Sequence, residues 1–325
     1  MKKRKKILFK ISQLVVLIGL ITLTTCEAIF EKNLEGEEVF LIIPLDNLTT
    51  DLAAQTFWWE GVDGAEGYNL QIVTPGFDSI LRLIVDTNII NDRYETNLYP
   101  GVYQWRVRAY NYSSSTDYYG RSITILNTFD LSNQQVVLKS PGINLITNDT
   151  SIGFEWFELN NATDYRFELK YDSWDGDYVI NPVLTSDNTL TLDLHEGVYT
   201  WGVQAQNQNS ASQFSFRTFM VDTTKPAIPI LIKPLQNDTT LSHEILFQWS
   251  RPDTTLSPIK DSLLISVDSL FTGEGYSRYF FTENTSQTTT LDASGKYFWR
   301  VRSVDAAGNL GGYSQTRKLT IQDEE

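Results

Sequence analysis

Apolar and polar side chains alternate with a period of two along much of the chain after residue 30. In one such stretch Tyr103, Trp105 and Val107 fall on one face of an extended segment, and Gln104 and Arg106 fall on the other. This alternation is typical of an antiparallel strand with one buried face. Because no sustained apolar pattern of helical period follows residue 30, the sequence predicts an all-β protein.

The same strand pattern occurs three times, about 96 residues apart. Its anchor is Gly-x-Tyr-x-Trp-x-Val, at residues 101–107, 197–203 and 295–301. A second anchor, Phe-x-Trp, begins 13 residues after each of Pro44, Pro141 and Pro234. A period of this length is that of a domain, so the sequence predicts a tandem array of three domains rather than a solenoid. Short runs rich in Val, Ile, Tyr and Thr, separated by turn residues, predict that each is a β-sandwich.

The anchors resemble the fibronectin type III domain, which has a Trp on its second strand, a Tyr on its third and Tyr-x-Trp-x-Val on its sixth. Residues 103–109 and 297–309 are similar to versions common in bacterial surface proteins, including lipoproteins of the Bacteroidota type. The resemblance covers about 285 residues and implies three tandem fibronectin type III-like sandwiches in an extracytoplasmic setting. It implies no activity, because this fold hosts many functions. The third copy departs from the pattern: no Tyr lies nine residues after Trp249, which leaves the register of its third strand open.

The first 26 residues have the order of a lipoprotein signal peptide. Six positive charges and no acid precede residue 11, an apolar run extends from Leu14 to Leu23, and Leu23-Thr24-Thr25-Cys26 resembles a bacterial lipobox. Thr25 departs from the Gly, Ala or Ser usual at that place, so an ordinary signal peptide with an incidental Cys is the alternative. Cys26 is the only cysteine, which favours lipidation, because the exported chain then has a Cys only where an anchor needs one.

Shifts in composition give the domain boundaries. Residues 1–25 are expected to be the signal peptide and 26–38 a polar tether; the three domains are expected at 39–127, 136–222 and 227–323. The joints between domains are short, and Pro226 and Pro229 stiffen the second one, which predicts a semi-rigid row of domains.

The net charge of the chain limits the classes of molecule that it is expected to bind. The net charge is −14, and loss of the six positive charges of residues 1–25 leaves −20. A chain of this charge repels nucleic acid and anionic lipid headgroups, so no nucleic-acid partner is expected. The expected membrane contact is the lipid anchor, such as palmitate on Cys26, and the expected location is the cell envelope, at the outer membrane.

No motif points to catalysis, a cofactor or a metal. His195 and His243 lie in different repeats and fit exposed loops, and the metal, nucleophile and phosphate-loop motifs are missing from the sequence. Asp172, Asp175 and Asp177 have the chemistry to ligate Ca²⁺, but a polar hairpin turn is the preferred explanation. We therefore expect no enzyme and no cofactor, with a hydrolase as a distant alternative.

Aromatic residues beyond those that the core requires are the candidate ligand-binding residues. Two Trp per repeat fill the core pattern, which leaves Trp58 and Trp174 of the eight. Trp58 lies between two inward positions and should face outward, and an enlarged loop adds Tyr112, Tyr118 and Tyr119. Tyr with Ser, Asn and Asp is the composition of binding loops on sandwich scaffolds. The alternative is that these rings pack against neighbouring domains or sheet edges.

Together these patterns favour a non-enzymatic cell-envelope lipoprotein. It would bind an extracellular glycan or protein, or hold such a module away from the membrane. The alternative function is a structural accessory subunit of an outer-membrane complex.

Lipidation at Cys26 is directly testable. Cys26→Ser should release the protein from membranes or leave it unprocessed, because acyl chains contribute about 0.8 kcal/mol per buried CH₂. Membrane fractionation and mass spectrometry of the mature N-terminus measure this. An unmodified mature N-terminus at another residue would contradict it.

Overall fold

The computed structural model describes residues 31–252, 255–272 and 276–323, and the secondary structure of these residues consists of strands and turns. The all-β prediction is confirmed. Within the described residues there is no helix of the length and apolarity needed to cross a membrane. The expected signal peptide and Cys26 lie outside these residues.

Each repeat supplies a similar succession of strands. The first contains β1 (Leu41–Ile43), β2 (Leu48–Thr50), β3 (Ala54–Trp59), β4 (Gly67–Gly76), β5 (Ser79–Ile89), β6 (Arg93–Asn97), β7 (Gly101–Tyr110) and β8 (Tyr119–Ile125). The second contains β9 (Leu138–Ser140), β10 (Leu145–Thr147), β11 (Ser151–Trp156), β12 (Asp164–Tyr171), β13 (Val183–Thr185), β14 (Thr189–Asp193), β15 (Gly197–Gln206) and β16 (Ser215–Val221). The third contains β17 (Ile230–Lys233), β18 (Asp238–Thr240), β19 (Glu244–Ser250), β20 (Ile259–Ser266), β21 (Tyr276–Thr282), β22 (Ser286–Thr290), β23 (Gly295–Asp305), β24 (Leu310–Tyr313) and β25 (Arg317–Ile321).

The strands of every repeat form one small and one large sheet in the same order. The small sheets run β1-β3-β6, β9-β11-β14 and β17-β19-β22. The large sheets run β2-β8-β7-β4-β5, β10-β16-β15-β12-β13 and β18-β25-β23-β20-β21, and β24 pairs with β23. This threefold recurrence confirms the predicted tandem array of fibronectin type III-like β-sandwiches.

One aromatic pair recurs in the core of every repeat. A Phe from the small sheet packs edge-on against the Trp of the Tyr-x-Trp-x-Val strand in the pairs Phe57–Trp105, Phe154–Trp201 and Phe247–Trp299, with ring centroids 5.0, 5.2 and 5.2 Å apart. The second inward residue of the small sheet, Trp59, Trp156 or Trp249, is also buried, as the sequence predicts. In the first two repeats this Trp contacts a Tyr of the large sheet, Tyr68 on β4 or Tyr165 on β12. It does not stack on the Trp of the Tyr-x-Trp-x-Val strand, because the Phe occupies that place.

The third repeat has a buried carboxylate, Asp261 on β20, where the first two repeats have Tyr68 and Tyr165. Asp261 pairs with Ser303 in the register where Tyr68 and Tyr165 each pair with an Ala. Asp261 accepts hydrogen bonds from the Trp249 indole and from Ser303 Oγ (2.6 Å) and pairs with Arg251 at 3.2 Å. Because a buried charge is tolerated only when it is paired and hydrogen-bonded, this network lets the third core dispense with the Tyr.

The described residues divide into two compact units. One comprises the residues up to Thr49 with Thr56–Tyr94 and Gly101–Thr124, and the other comprises Thr50–Gln55, Glu95–Pro100 and everything from Ile125 onward.

In the first unit, residues 31–38, which the sequence suggests as part of a tether, pack against the first repeat. Leu34 is fully buried and its amide donates to Ser114 Oγ at 2.8 Å, while Asn111 Nδ2 donates to the Lys32 carbonyl at 2.7 Å. The second unit has the same arrangement before β9. There Leu131 is buried, and its backbone amide donates a hydrogen bond to Ser210 Oγ at 2.8 Å. Leu34 before β1 and Leu131 before β9 thus belong to the packed fold.

Within the second unit, Asp222 connects the second and third repeats. Its carboxylate is fully buried and accepts hydrogen bonds from the backbone amide (2.9 Å) and hydroxyl of Ser257, and from the Thr224 amide (3.1 Å). Its carbonyl accepts from Asn309 Nδ2 at 2.7 Å. Asn309 is in turn held by Asp305, so the turn at residues 305–309 has a structural role at this junction.

The alternation of inward and outward residues in β3 gives a sharp stability contrast. Trp59→Ala should lower the free energy of unfolding by about 3–5 kcal/mol, because it opens a large cavity in the core. Trp58→Ala should cost far less, since Trp58 is 41% exposed. Chemical denaturation of both variants measures the difference, and equal losses would contradict the register of β3.

Candidate binding surfaces

Four of the five candidate aromatic residues, Trp58, Tyr112, Tyr118 and Tyr119, lie in the first unit, and Trp174 lies in the second. Tyr112 is 91% exposed, and its backbone amide donates to the Glu31 carboxylate at 3.0 Å. Tyr118, Tyr119 and Trp174 are half-buried, and Trp58 lies on a small sheet. Their surroundings therefore have to be considered separately.

Trp58 forms an exposed apolar surface on the small sheet of the first repeat. It lies opposite Ile43 in the β1–β3 register, and Ile43 is 39% exposed. The Trp58 indole nitrogen lies 3.4 Å from Asp92 Oδ2, which holds the ring beside a carboxylate. Phe40, just before β1, is exposed as well. We call Phe40, Ile43 and Trp58 the Trp58 surface.

The other two repeats place polar residues at the positions of Ile43 and Trp58, whereas Phe40 corresponds to the apolar residues Val137 and Ile230. The pair equivalent to Ile43 and Trp58 is Ser140 and Glu155 in the second repeat. In the third repeat it is Lys233 and Gln248. The fold therefore does not require an apolar pair here, and the first repeat has one in spite of the cost of exposing it to water.

Tyr118 lies on the outer face of the large sheet, where it stacks on arginine. The Arg106 guanidinium lies between the rings of Phe77 and Tyr118, with centroid distances of 4.0 and 4.2 Å. Tyr118 also donates a hydrogen bond to Asn69 Oδ1 at 2.6 Å. The ring is therefore fixed on its own sheet, and it borders a cleft of about 330 Å³.

Tyr119 is the first residue of β8 and does not line that cleft. Partial burial raises the pKa of its phenol, and the neighbouring charges of Glu38 and Asp117 raise it further. Tyr112, Tyr118 and Tyr119 thus have three distinct environments within the first repeat.

Trp174 covers the outer face of the second large sheet. Its ring stacks on Phe216 at 5.0 Å with an interplanar angle of 9°, and Lys170 Nζ lies 4.4 Å from its centroid. It occupies the space above Gly202, where a Cβ would come within 2.5 Å of the ring. Gly202 lies at the position of Arg106 in the first repeat and Arg300 in the third, and each of these arginines lies between two aromatic rings. In the second repeat the Trp174 ring takes the place of that arginine.

The acidic turn beside Trp174 is exposed, and in the described part of the chain no group of three or more acidic, His or Cys side chains could hold a metal ion. Asp172 adopts a positive φ of 56°, which fits the tight turn. His195 is exposed, and His243 Nδ1 lies 2.7 Å from the Leu291 carbonyl. These residues therefore have ordinary structural surroundings.

Sequence reasoning missed Ile43, Phe77 and Arg106. Ile43 directly precedes the repeated Pro44, and the residues at the same position in the other repeats are the polar Ser140 and Lys233. Comparison of the three copies could therefore have identified Ile43 as an unusual apolar residue. Phe77 reaches Arg106 only because the β4–β5 hairpin folds over the sheet, with the Phe77 amide donating to Gln104 Oε1 at 2.9 Å. No local pattern indicates that fold-back.

No protein-family model and no curated protein matches the chain. Among solved structures, the chain is similar to the chicken CNTN1 FN1–FN3 domains, with 15% identity over 87% of this chain and 98% of that one and a TM-score of 0.35. It is also similar to the fibronectin(III)-like modules of Clostridium thermocellum CbhA, with 14% identity over 58% of this chain and 94% of that one and a TM-score of 0.36. Both neighbours are fibronectin type III domains, and likeness at this level bears on neither activity nor ligand.

The stack over Gly202 can be tested by adding one methyl group. Gly202→Ala should displace Trp174 and lower stability by about 1–3 kcal/mol, because the new Cβ overlaps the indole. Trp fluorescence should shift to the red, and the shift should vanish in a Trp174→Phe background. Gly153→Ala is the matched control, since a Cβ there meets nothing within 4 Å. Equal behaviour of the two Ala variants would contradict the stack.

Proposed function

We propose that the chain is a non-enzymatic bacterial cell-envelope lipoprotein whose first repeat binds an extracellular glycan or protein. Lipid on Cys26 would hold it at the outer membrane, and the first repeat would be the one next to the anchor along the chain. The order of basic residues, apolar run and Leu-Thr-Thr-Cys supports the anchor, and the resemblance to bacterial surface modules supports the location.

The observation that carries the binding role is the Trp58 surface. An indole face offers a large contact area at a low entropy cost, and aromatic faces stack on the apolar faces of sugar rings. The Asp92 carboxylate beside the indole nitrogen could accept a hydrogen bond from a ligand hydroxyl. An aromatic ring next to a hydrogen-bonding carboxylate suits a glycan, which presents an apolar ring face with hydroxyls at its edge.

Binding is tested with a variant taken from the chain itself. Trp58→Gln introduces the residue that the third repeat has at this position, so it should leave the melting temperature nearly unchanged. A glycan array and a pull-down from envelope extract, both with full-chain Cys26→Ser protein, should each show a ligand for the parent. Capture by Trp58→Gln should fall about tenfold, the equivalent of about 1.4 kcal/mol of lost contact.

Val198→Gln, at a half-buried position on β15 of the second repeat, is a control for a substitution elsewhere and should retain capture. If the parent captures neither a glycan nor an envelope protein, the binding role is wrong. If Trp58→Gln captures the same ligands equally well, binding does not involve this surface.

A structural accessory subunit of an outer-membrane complex is the second candidate, and the β5 edge favours it. β5 lies at the edge of its sheet, and Ile80, Leu81 and Leu83 on it are 54%, 79% and 55% exposed. A long apolar edge strand is a template for pairing with a strand of another protein. Stable co-purification of a membrane protein that Leu81→Lys abolishes and Trp58→Gln does not would favour this candidate.

A further inference from the structure

We propose that the cleft beside Arg106, on the outer face of the first large sheet, binds the carboxylate of an acidic ligand. The cleft has a volume of about 330 Å³, and its lining includes Asp46, Gln104, Arg106, Tyr118, Gly120 and Ser122. It is separate from the Trp58 surface, which lies on the other sheet. The proposal therefore stands independently of glycan binding at Trp58.

The guanidinium of Arg106 is held in place by its neighbours, and its Nη1 atom is available to donate a hydrogen bond to a ligand. Nε and Nη2 both donate to Gln71 Oε1, at 2.9 and 2.8 Å, and the two faces of the group are covered by Phe77 and Tyr118. No described residue accepts a hydrogen bond from Nη1, and Nη1 is not a buried atom. An arginine fixed by its neighbours loses little conformational entropy when it binds a carboxylate, and its planar edge matches that group.

The polar groups around Arg106 are donors rather than free acceptors. Ser122 Oγ receives only a 3.5 Å contact from Gln104 Nε2, so the Ser122 hydroxyl proton and the Gln104 amide are both available to a ligand. The acceptors in the cleft are already occupied: Gln104 Oε1 by the Phe77 amide, and Asp46 Oδ1 by the amides of Ser122 and Asn47. A group that only accepts hydrogen bonds, such as a carboxylate, complements this lining.

Gly120 lets its strand approach the strand of Arg106 closely beside the cleft. A Cβ at this position would lie 2.5 Å from the Trp105 carbonyl and 3.0 Å from Arg106 Cβ, so any side chain would displace the strand that carries Arg106. The positive charge of Arg108, whose guanidinium lies 4.8 Å from the Tyr118 centroid, adds to that of Arg106. On a chain of net charge −14, this is a local site for an anion.

The third repeat has the stack in different polar surroundings, with neither the amide of Gln104 nor the hydroxyl of Ser122. Arg300 lies between Phe271 and Tyr313, at 4.1 and 3.8 Å. The positions of Gln104 and Ser122 are Phe298 and Lys318 there, by the register of β23 with β25. Arg300→Met is thus a matched control, which loses an equivalent cation–π stack and should not affect carboxylate binding.

The test is calorimetric titration of the full chain in detergent with two acidic probes. One is tetragalacturonate, with its methyl ester as the neutral form, and the other is a hexapeptide with a free C-terminal carboxylate, with its amide as the neutral form. At least one acidic probe should bind, and its neutral form should bind about ten- to hundredfold more weakly, as expected for loss of a charge-assisted hydrogen bond. The probe that binds identifies the carboxylate source as acidic sugar or peptide terminus.

Arg106→Met should weaken that binding by the same factor, and Ser122→Ala by about three- to tenfold. If Arg106→Met lowers the melting temperature more than Arg300→Met does, Arg106→Lys serves instead, because it keeps a cation but not the planar donor edge. Trp58→Gln should leave binding unchanged, so failure here is distinguishable from failure of the Trp58 surface. The proposal is overturned if neither acidic probe binds, if acidic and neutral forms bind equally, or if Arg300→Met weakens binding as much as Arg106→Met.

Discussion

An edge-on contact between one Phe and one Trp joins the two sheets of every repeat, and the rest of each repeat depends on it. The Phe comes from the small sheet and the Trp from the large sheet, at nearly the same distance in all three copies. Side chains in a strand alternate, so placing these two rings inward determines the direction of every neighbouring residue. Trp58 and Arg106 face outward because Phe57 and Trp105 face inward.

The three repeats therefore act as internal controls for one another. Where the core requires a residue, the copies agree, and Asp261 shows that a departure is accompanied by compensating partners. On the outer faces the copies disagree: Ile43 and Trp58 are replaced by polar pairs, and Arg106 by Gly202. Because the same fold accepts different residues at these outer positions, they are where a function specific to one repeat can reside.

Periodicity in the sequence was enough to predict the sandwich class, the tandem array, the burial of Trp59 and the exposure of Trp58. It could not predict how Tyr118 and Trp174 pack, because both rings meet residues distant along the chain, such as Arg106 and Phe216. Leu34 was missed for a similar reason: its burial depends on Ser114, and the segment around it is polar. Local alternation predicts which face of a strand is buried. The position of a loop that folds back over a sheet depends on contacts between residues distant in sequence, which periodicity does not reveal.

The central claim is that the core tryptophans are structural and that ligand binding belongs to the outward ones. Fluorine NMR of the chain labelled with 5-fluorotryptophan, with a soluble paramagnetic agent, reports all eight indoles at once. The account predicts that the signals of Trp59, Trp105, Trp156, Trp201, Trp249 and Trp299 stay sharp and that Trp58 broadens most. Adding a captured glycan should protect and shift the Trp58 signal alone. Broadening of a core signal, or a ligand-induced shift that leaves Trp58 unchanged, would contradict it.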